Sequence, residues 1–207
     1  APPWPAAKPA LWEATAPDGA RAWLFGTVHA LPEEVEWETG ALARIVAQAD
    51  LLMVEIDPRE PGGQAAARFT QLATAPGLPP LDQRVAPGDA PLVRALLERA
   101  RTDAGRFANT ETWAAAIQLG NAVRCGEPEH GVERTLIAAI EQVQALEGTE
   151  RQFEAFDALG PGAQADLLLS IASEPDCGAA EARIRAWLAG DLAALGRAVD
   201  RGFRGNA

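Results

Sequence analysis

The chain has 207 residues, 48% of them hydrophobic, enough for one sizeable domain with a core of its own. No apolar run approaches the ~18 residues of a membrane helix, so no membrane span is expected. Against 29 Asp and Glu stand only 18 Lys and Arg; the net charge of −11 argues against nucleic acid as a partner and most simply serves solubility.

The first ten residues, Ala1-Pro2-Pro3-Trp4-Pro5-Ala6-Ala7-Lys8-Pro9-Ala10, are rich in proline and alanine and carry no apolar signal core. Ala1 is either what signal cleavage leaves behind or simply a boundary of the sequence. Leu11–Thr15 alternates weakly and runs into Ala16-Pro17-Asp18-Gly19. There proline presets φ and glycine supplies φ > 0, so a turn is expected, with Arg21–Val28 as the returning arm of a hairpin. The stretch Leu24-Phe25-Gly26-Thr27-Val28-His29-Ala30-Leu31-Pro32 then reads as a strand that delivers one of only two histidines to its C-terminal end. Ligand and catalytic groups often sit at such ends in α/β proteins. His29 is either a functional group or a strand cap held by one hydrogen bond. Gly26, three residues earlier, favours function by letting backbone or ligand come close.

A helix is expected in the later part of residues 32–50, with Leu42, Ile45, Val46 and Ala49 on one face. Leu51–Ile56 is apolar on nearly every residue and reads as a strand buried on both faces. It contains Glu55, which such burial would require to be protonated, paired (with Arg21, for example) or metal-bound. Asp57 reads as a strand-end cap. Helical patterns dominate afterwards. They cover 64–74, then 91–101 with Leu92, Leu96 and Leu97 together, and then 113–123. A stripe of Val132, Leu136, Ile140 and Val143 follows. Leu146-Glu147 forms a candidate short strand, and Thr149-Glu150-Arg151-Gln152 has the form of a capping box. Further helices are expected over 163–173, 180–188 and, capped by Asp191, 192–199. Trp113 and Trp187 lie on helix stripes and read as core, whereas His130 lies in a polar loop and reads as solvated. No internal repeat and no convincing linker divides the chain, so a single α/β domain over residues 1–207 is expected.

Two cysteines, Cys125 and Cys177, fit either one disulfide or two unrelated thiols. Nucleophile-elbow, P-loop and dinucleotide fingerprints are absent.

Together these segments resemble the TraB/PrgY/GumN family, which includes the TIKI metalloproteases. The matching pieces are Pro9-Ala10-Leu11-Trp12, the Leu24–Pro32 stretch, Ala49–Asp57, Gly131-Val132-Glu133, Leu146-Glu147 with Gln152 and Phe156, and Ala186–Asp191. The resemblance implies an α/β fold akin to the erythromycin-esterase-like and ChaN-like proteins, with a small central sheet, an N-terminal hairpin and many covering helices. It further implies a metal-dependent hydrolytic site for a peptide or small-molecule substrate. His29, Glu55, Glu133 and Glu147 are its candidate ligands to zinc, manganese or cobalt, and Glu55 or Glu147 is its candidate general base. Signal peptides are common in the family, which suits export, an extracytoplasmic location and a joined cysteine pair. A second GxxH motif, usual near the family's C-terminal end, does not occur in these 207 residues. Weak metal binding and little hydrolysis are therefore expected. The rival readings are a non-catalytic protein that grips a peptide or small ligand and, by fold analogy alone, a haem or iron binder.

Overall fold

The computed structural model describes residues 2–57, 59, 62–173 and 176–203. It is a mixed α/β structure built from small sheets and many helices. The hairpin pairs β1 (Leu11–Thr15) with β2 (Arg21–Phe25) in antiparallel register, Leu11 opposite Phe25 and Thr15 opposite Arg21. Its turn is the expected one: Gly19 has φ +87°, and Asp18 accepts a bond from the Ala20 amide at 3.0 Å. The second arm stops at Phe25, short of the expected Val28. Continuing the same register would set Thr27 against Pro9, which has no N–H to give the ladder. His29 therefore lies in a loop beyond the strand rather than at its end.

Contacts gather the chain into two compact units. Residues 2–52, 125–143 and 176–203 make the first, and the other described residues make the second. The chain passes between them along β3 (Leu52–Val54) and β4 (Val143–Ala145), two short strands paired in parallel.

The first unit packs α1 (Gly40–Val46), α5 (Val132–Ala139) and α8 (Cys177–Leu188) around Leu31, Val35, Trp37, Leu42, Val132, Leu136, Ile184, Trp187 and Leu188. Phe25, Trp37 and Trp187 meet there with ring centroids 6.1–6.3 Å apart. Trp187 is core, as expected, and its indole N–H donates to the Gly26 carbonyl at 2.8 Å. Before the hairpin, the proline-rich segment lies along α8. Arg185 donates to the carbonyls of Pro2 and Pro3 at 2.7 and 2.8 Å and stacks over the Trp4 ring, while the Lys8 amide donates to Leu188. Helix α9 (Leu192–Phe203) begins where Asp191 accepts from the Ala194 amide, the cap expected from its position. Cys125 and Cys177 are joined, with Cα atoms 5.6 Å apart.

The second unit is helical. Its cores form between α2 (Gly62–Ala73), α3 (Ala90–Arg99), α4 (Thr112–Ala122), α6 (Thr149–Asp157) and α7 (Pro161–Ala172). Leu96 and Leu97 are buried as expected, but Leu92 faces solvent. Trp113 is fully buried among Phe69, Phe153 and Phe156. Its backbone N–H donates to Gln164, whose side-chain amide donates in turn to the Leu159 carbonyl. A half-buried guanidinium ties the loops: Arg84 donates to the carbonyls of Pro79, Thr110 and Phe107 at 2.7, 2.7 and 2.5 Å.

Two expectations fail here. The strand at Leu51–Ile56 is half-buried rather than enclosed: Val54 is buried, but Met53 is 53% exposed and Glu55 is exposed. With β4 as its one partner among the described residues, β3 is covered on alternate residues only, the pattern of a sheet with one wet face. The second failure concerns the capping box. Helix α6 takes Gly148 as its cap, so Thr149 is already the first helical residue.

Candidate functional site

Beyond β2 the loop 26–31 is tied down at several points. Leu31 exchanges two backbone bonds with Glu127, and the Val132 amide donates to the Val28 carbonyl at 3.0 Å. Leu31 itself is fully buried. These ties bring the loop against the start of α5, where Gly131 is the cap residue and Glu133 lies in the first turn. A carboxylate is favoured there by the unpaired amides and the positive end of the helix dipole. Gly131 is required by the approach: a Cβ on it would lie 2.3 Å from the His29 carbonyl oxygen. By contrast, among the described residues no atom outside its chain neighbours lies within 4 Å of a Cβ built on Gly26. The tight approach expected near Gly26 thus falls on Gly131.

Three side chains then meet. His29 Nδ1 and Glu133 Oε2 are 2.8 Å apart, and Thr27 Oγ1 donates to Glu133 Oε1 at 3.1 Å. In a neutral imidazole, donation to an ionised Glu133 would place the proton on Nδ1 and leave the Nε2 lone pair available. The imidazole is 67% exposed and the Glu133 side chain 27%, so the ring faces solvent while its partner is largely covered. Both carboxylate oxygens are already engaged within the trio. The arrangement can present a basic nitrogen to a proton or a metal ion.

Glu55 and Glu147 form a second pair, in the second unit. The Glu147 amide donates to the Glu55 carbonyl at 3.1 Å just beyond the ends of β3 and β4, and both side chains are exposed. The short strand expected at Leu146-Glu147 lies instead at Val143–Ala145 and ends before Leu146. Burial does not oblige Glu55 to find a partner, and Arg21, its suggested one, is bound to Glu13 at 2.7 Å instead. The Arg59 side chain and amide hold the Asp57 carboxyl below its usual range. From Gly148 onward the chain lines an open cleft of about 600 Å³ with Gln64, Thr149, Glu150, Arg151 and Glu154.

His130 is not the solvated histidine expected. Its ring is partly covered in a short 3₁₀ turn, and its Nδ1 is buried with no hydrogen-bond partner among the described residues. Among the described residues, no group of three or more His, Cys, Asp or Glu side chains is disposed to hold a metal ion.

A model of the TraB/PrgY/gumN family matches residues 10–206. The chain belongs to this family. No curated protein matches it, and no solved structure does. The family match takes in all four candidate residues as well as Thr27 and Gly131. Thr27 is the residue of the trio that sequence reasoning missed as a site member. Its signal was present in the motif itself, as the hydroxyl two residues before the histidine.

Proposed function

We propose that this TraB/PrgY/gumN protein is a metal-dependent hydrolase of peptide or ester bonds in which His29 presents Nε2 to a divalent ion. The bond between His29 and Glu133 carries the reading, because metal-binding histidines characteristically give their other ring nitrogen to a carboxylate or carbonyl. Zinc, manganese or cobalt suits an imidazole and carboxylate donor set. Once bound, such an ion polarises a carbonyl and acidifies water. Within the first unit, His29 would orient and hold the ion. The Cys125–Cys177 disulfide supports an extracytoplasmic location, where such bonds persist.

A second reading is a non-catalytic protein that binds a peptide or small ligand. It is favoured by the donor set, since both Glu133 oxygens are engaged and the described residues bring no third ligand to the pair.

Calorimetry with manganese, cobalt or zinc, beside turnover of an ester and peptide panel, separates the two. The hydrolase reading expects saturable binding and turnover in the wild type, both lost in His29→Ala. Absence of both in the wild type would leave the binding protein.

A further inference from the structure

We infer that Thr27 is a positioning residue that acts on His29 through Glu133. This inference deepens the hydrolase reading and rests on it for its functional consequence, but its geometric content stands apart. Glu133 has two oxygens and two different tasks. Oε2 meets His29 Nδ1 at 2.8 Å, and Oε1 accepts from the Thr27 hydroxyl at 3.1 Å.

A carboxylate bound at one oxygen alone can swing about its last torsion, since such sp² rotors have broad wells. Bound at both oxygens, it is fixed in plane and direction. The imidazole it faces is then fixed in tautomer and in the direction of Nε2. Thr27 suits the task because it is anchored by its surroundings. The following residue, Val28, is bonded through its carbonyl to Val132, next to Glu133, so hydroxyl and carboxylate are held by one short piece of backbone pairing. The β-branched side chain also has few rotamers from which to choose.

Glu133 therefore need not touch a metal or substrate to matter. Its contribution, and that of Thr27 behind it, is the state of the His29 ring.

The test replaces the hydroxyl and reads the ring. In ¹⁵N NMR of the metal-free protein at alkaline pH, wild-type His29 is expected in the Nδ1–H form. Thr27→Val, which keeps the shape and removes the donor, should shift the population toward Nε2–H, and Glu133→Gln should disturb the Nδ1–H form in the same spectrum. Thr27→Ser, which restores the hydroxyl, should return the wild-type ring signals. Where metal-supported turnover is measurable, Thr27→Val should lower it about 10-fold, the lower end for outer partners of a ligand histidine, with rescue by serine.

A Thr27→Val protein whose His29 signals match the wild type would overturn the inference, even if His29 proves essential for hydrolysis. So would a wild-type ring already in the Nε2–H form. The NMR measurement needs neither metal nor substrate, so failure of the hydrolase reading would not be mistaken for failure of this one.

Discussion

A side-chain carbon on Gly131 would sit 2.3 Å from the carbonyl oxygen of His29, closer than a non-bonded carbon and oxygen can remain. The backbone of one motif is thus pressed onto the backbone of the other, and the missing Cβ permits it. Gly131→Ala should force the two segments apart and destabilise the protein by about 1–3 kcal/mol, the usual cost of overpacking. Thermal unfolding should record a drop of several degrees. Gly26→Ala is the control. None of the described residues crowds that position, and its effect should stay within about 0.5 kcal/mol. Equal losses at the two glycines would contradict the account.

Reduction of Cys125–Cys177 should weaken the first unit. The bond closes a loop with a sequence separation of 52, and the entropy model assigns such a loop about 4 kcal/mol. Urea denaturation with and without a reductant should show the midpoint falling on reduction. Thiol labelling of the denatured, unreduced protein should find no reactive cysteine.

Arg84 should matter to stability although it lies outside the candidate site. Three loop carbonyls converge on its guanidinium, and Arg84→Met would leave them without that donor. A loss of about 3 kcal/mol is expected from denaturant unfolding, and Arg84→Lys should not rescue it, because one ammonium cannot span the fork. Burial lowers the Arg84 pKa, with Glu111 opposing that shift. A base whose folded pKa is lowered binds its proton less well folded than unfolded, so this group favours folding as pH rises, and only in the strongly alkaline range.

On the hairpin, Glu13 offers a pH test. Its hydrogen bond from Arg21 holds its carboxyl below the usual range. A carboxylate with a lowered folded pKa contributes above its unfolded value, near ~4.3, and loses that contribution as pH falls through the folded value. Carbonyl NMR should therefore show Glu13 titrating at higher pH in Arg21→Met than in the wild type. Global stability should hardly change, because the pair is exposed. Coincident titration curves would rule out the ion pair as the cause.

Local signals in the sequence served well where local chemistry decides. The turn at Pro17-Asp18-Gly19 needs only its own residues, and so does the cap at Asp191. Trp113 and Trp187 were legible as core from helical spacing. Cys125 and Cys177 were legible as a pair only as one of two options. The misses share a cause. Leu51–Ile56 has the composition of an enclosed strand, but enclosure depends on how many neighbours the strand acquires, and β3 acquired one. Thr27 bonds to a residue 106 positions away, and its role is invisible until α5 docks. Arg84 looks like any surface arginine until Pro79 and the Phe107–Thr110 segment bring their carbonyls to it. His29 and Glu133 were both candidates from the start. Their direct bond was not legible, because spacing along the chain carries no information about which carboxylate a histidine will face.

The grip of Arg185 on Pro2 and Pro3 has a consequence for how the polypeptide is made. The partners are 183 and 182 residues apart, so they cannot meet until nearly all of the described chain has left the ribosome. Lys8 likewise waits for Leu188. Contacts of such long range come late, after the entropy of closing the loop between them has been met. The helices of the second unit find their partners within residues 62–172, at shorter range, and face less delay. The segment holding Pro2, Pro3 and Lys8 should thus be among the last to settle, and a nascent chain arrested before α8 should leave Trp4 more open to quenchers than it is in the folded protein, where it is partly covered.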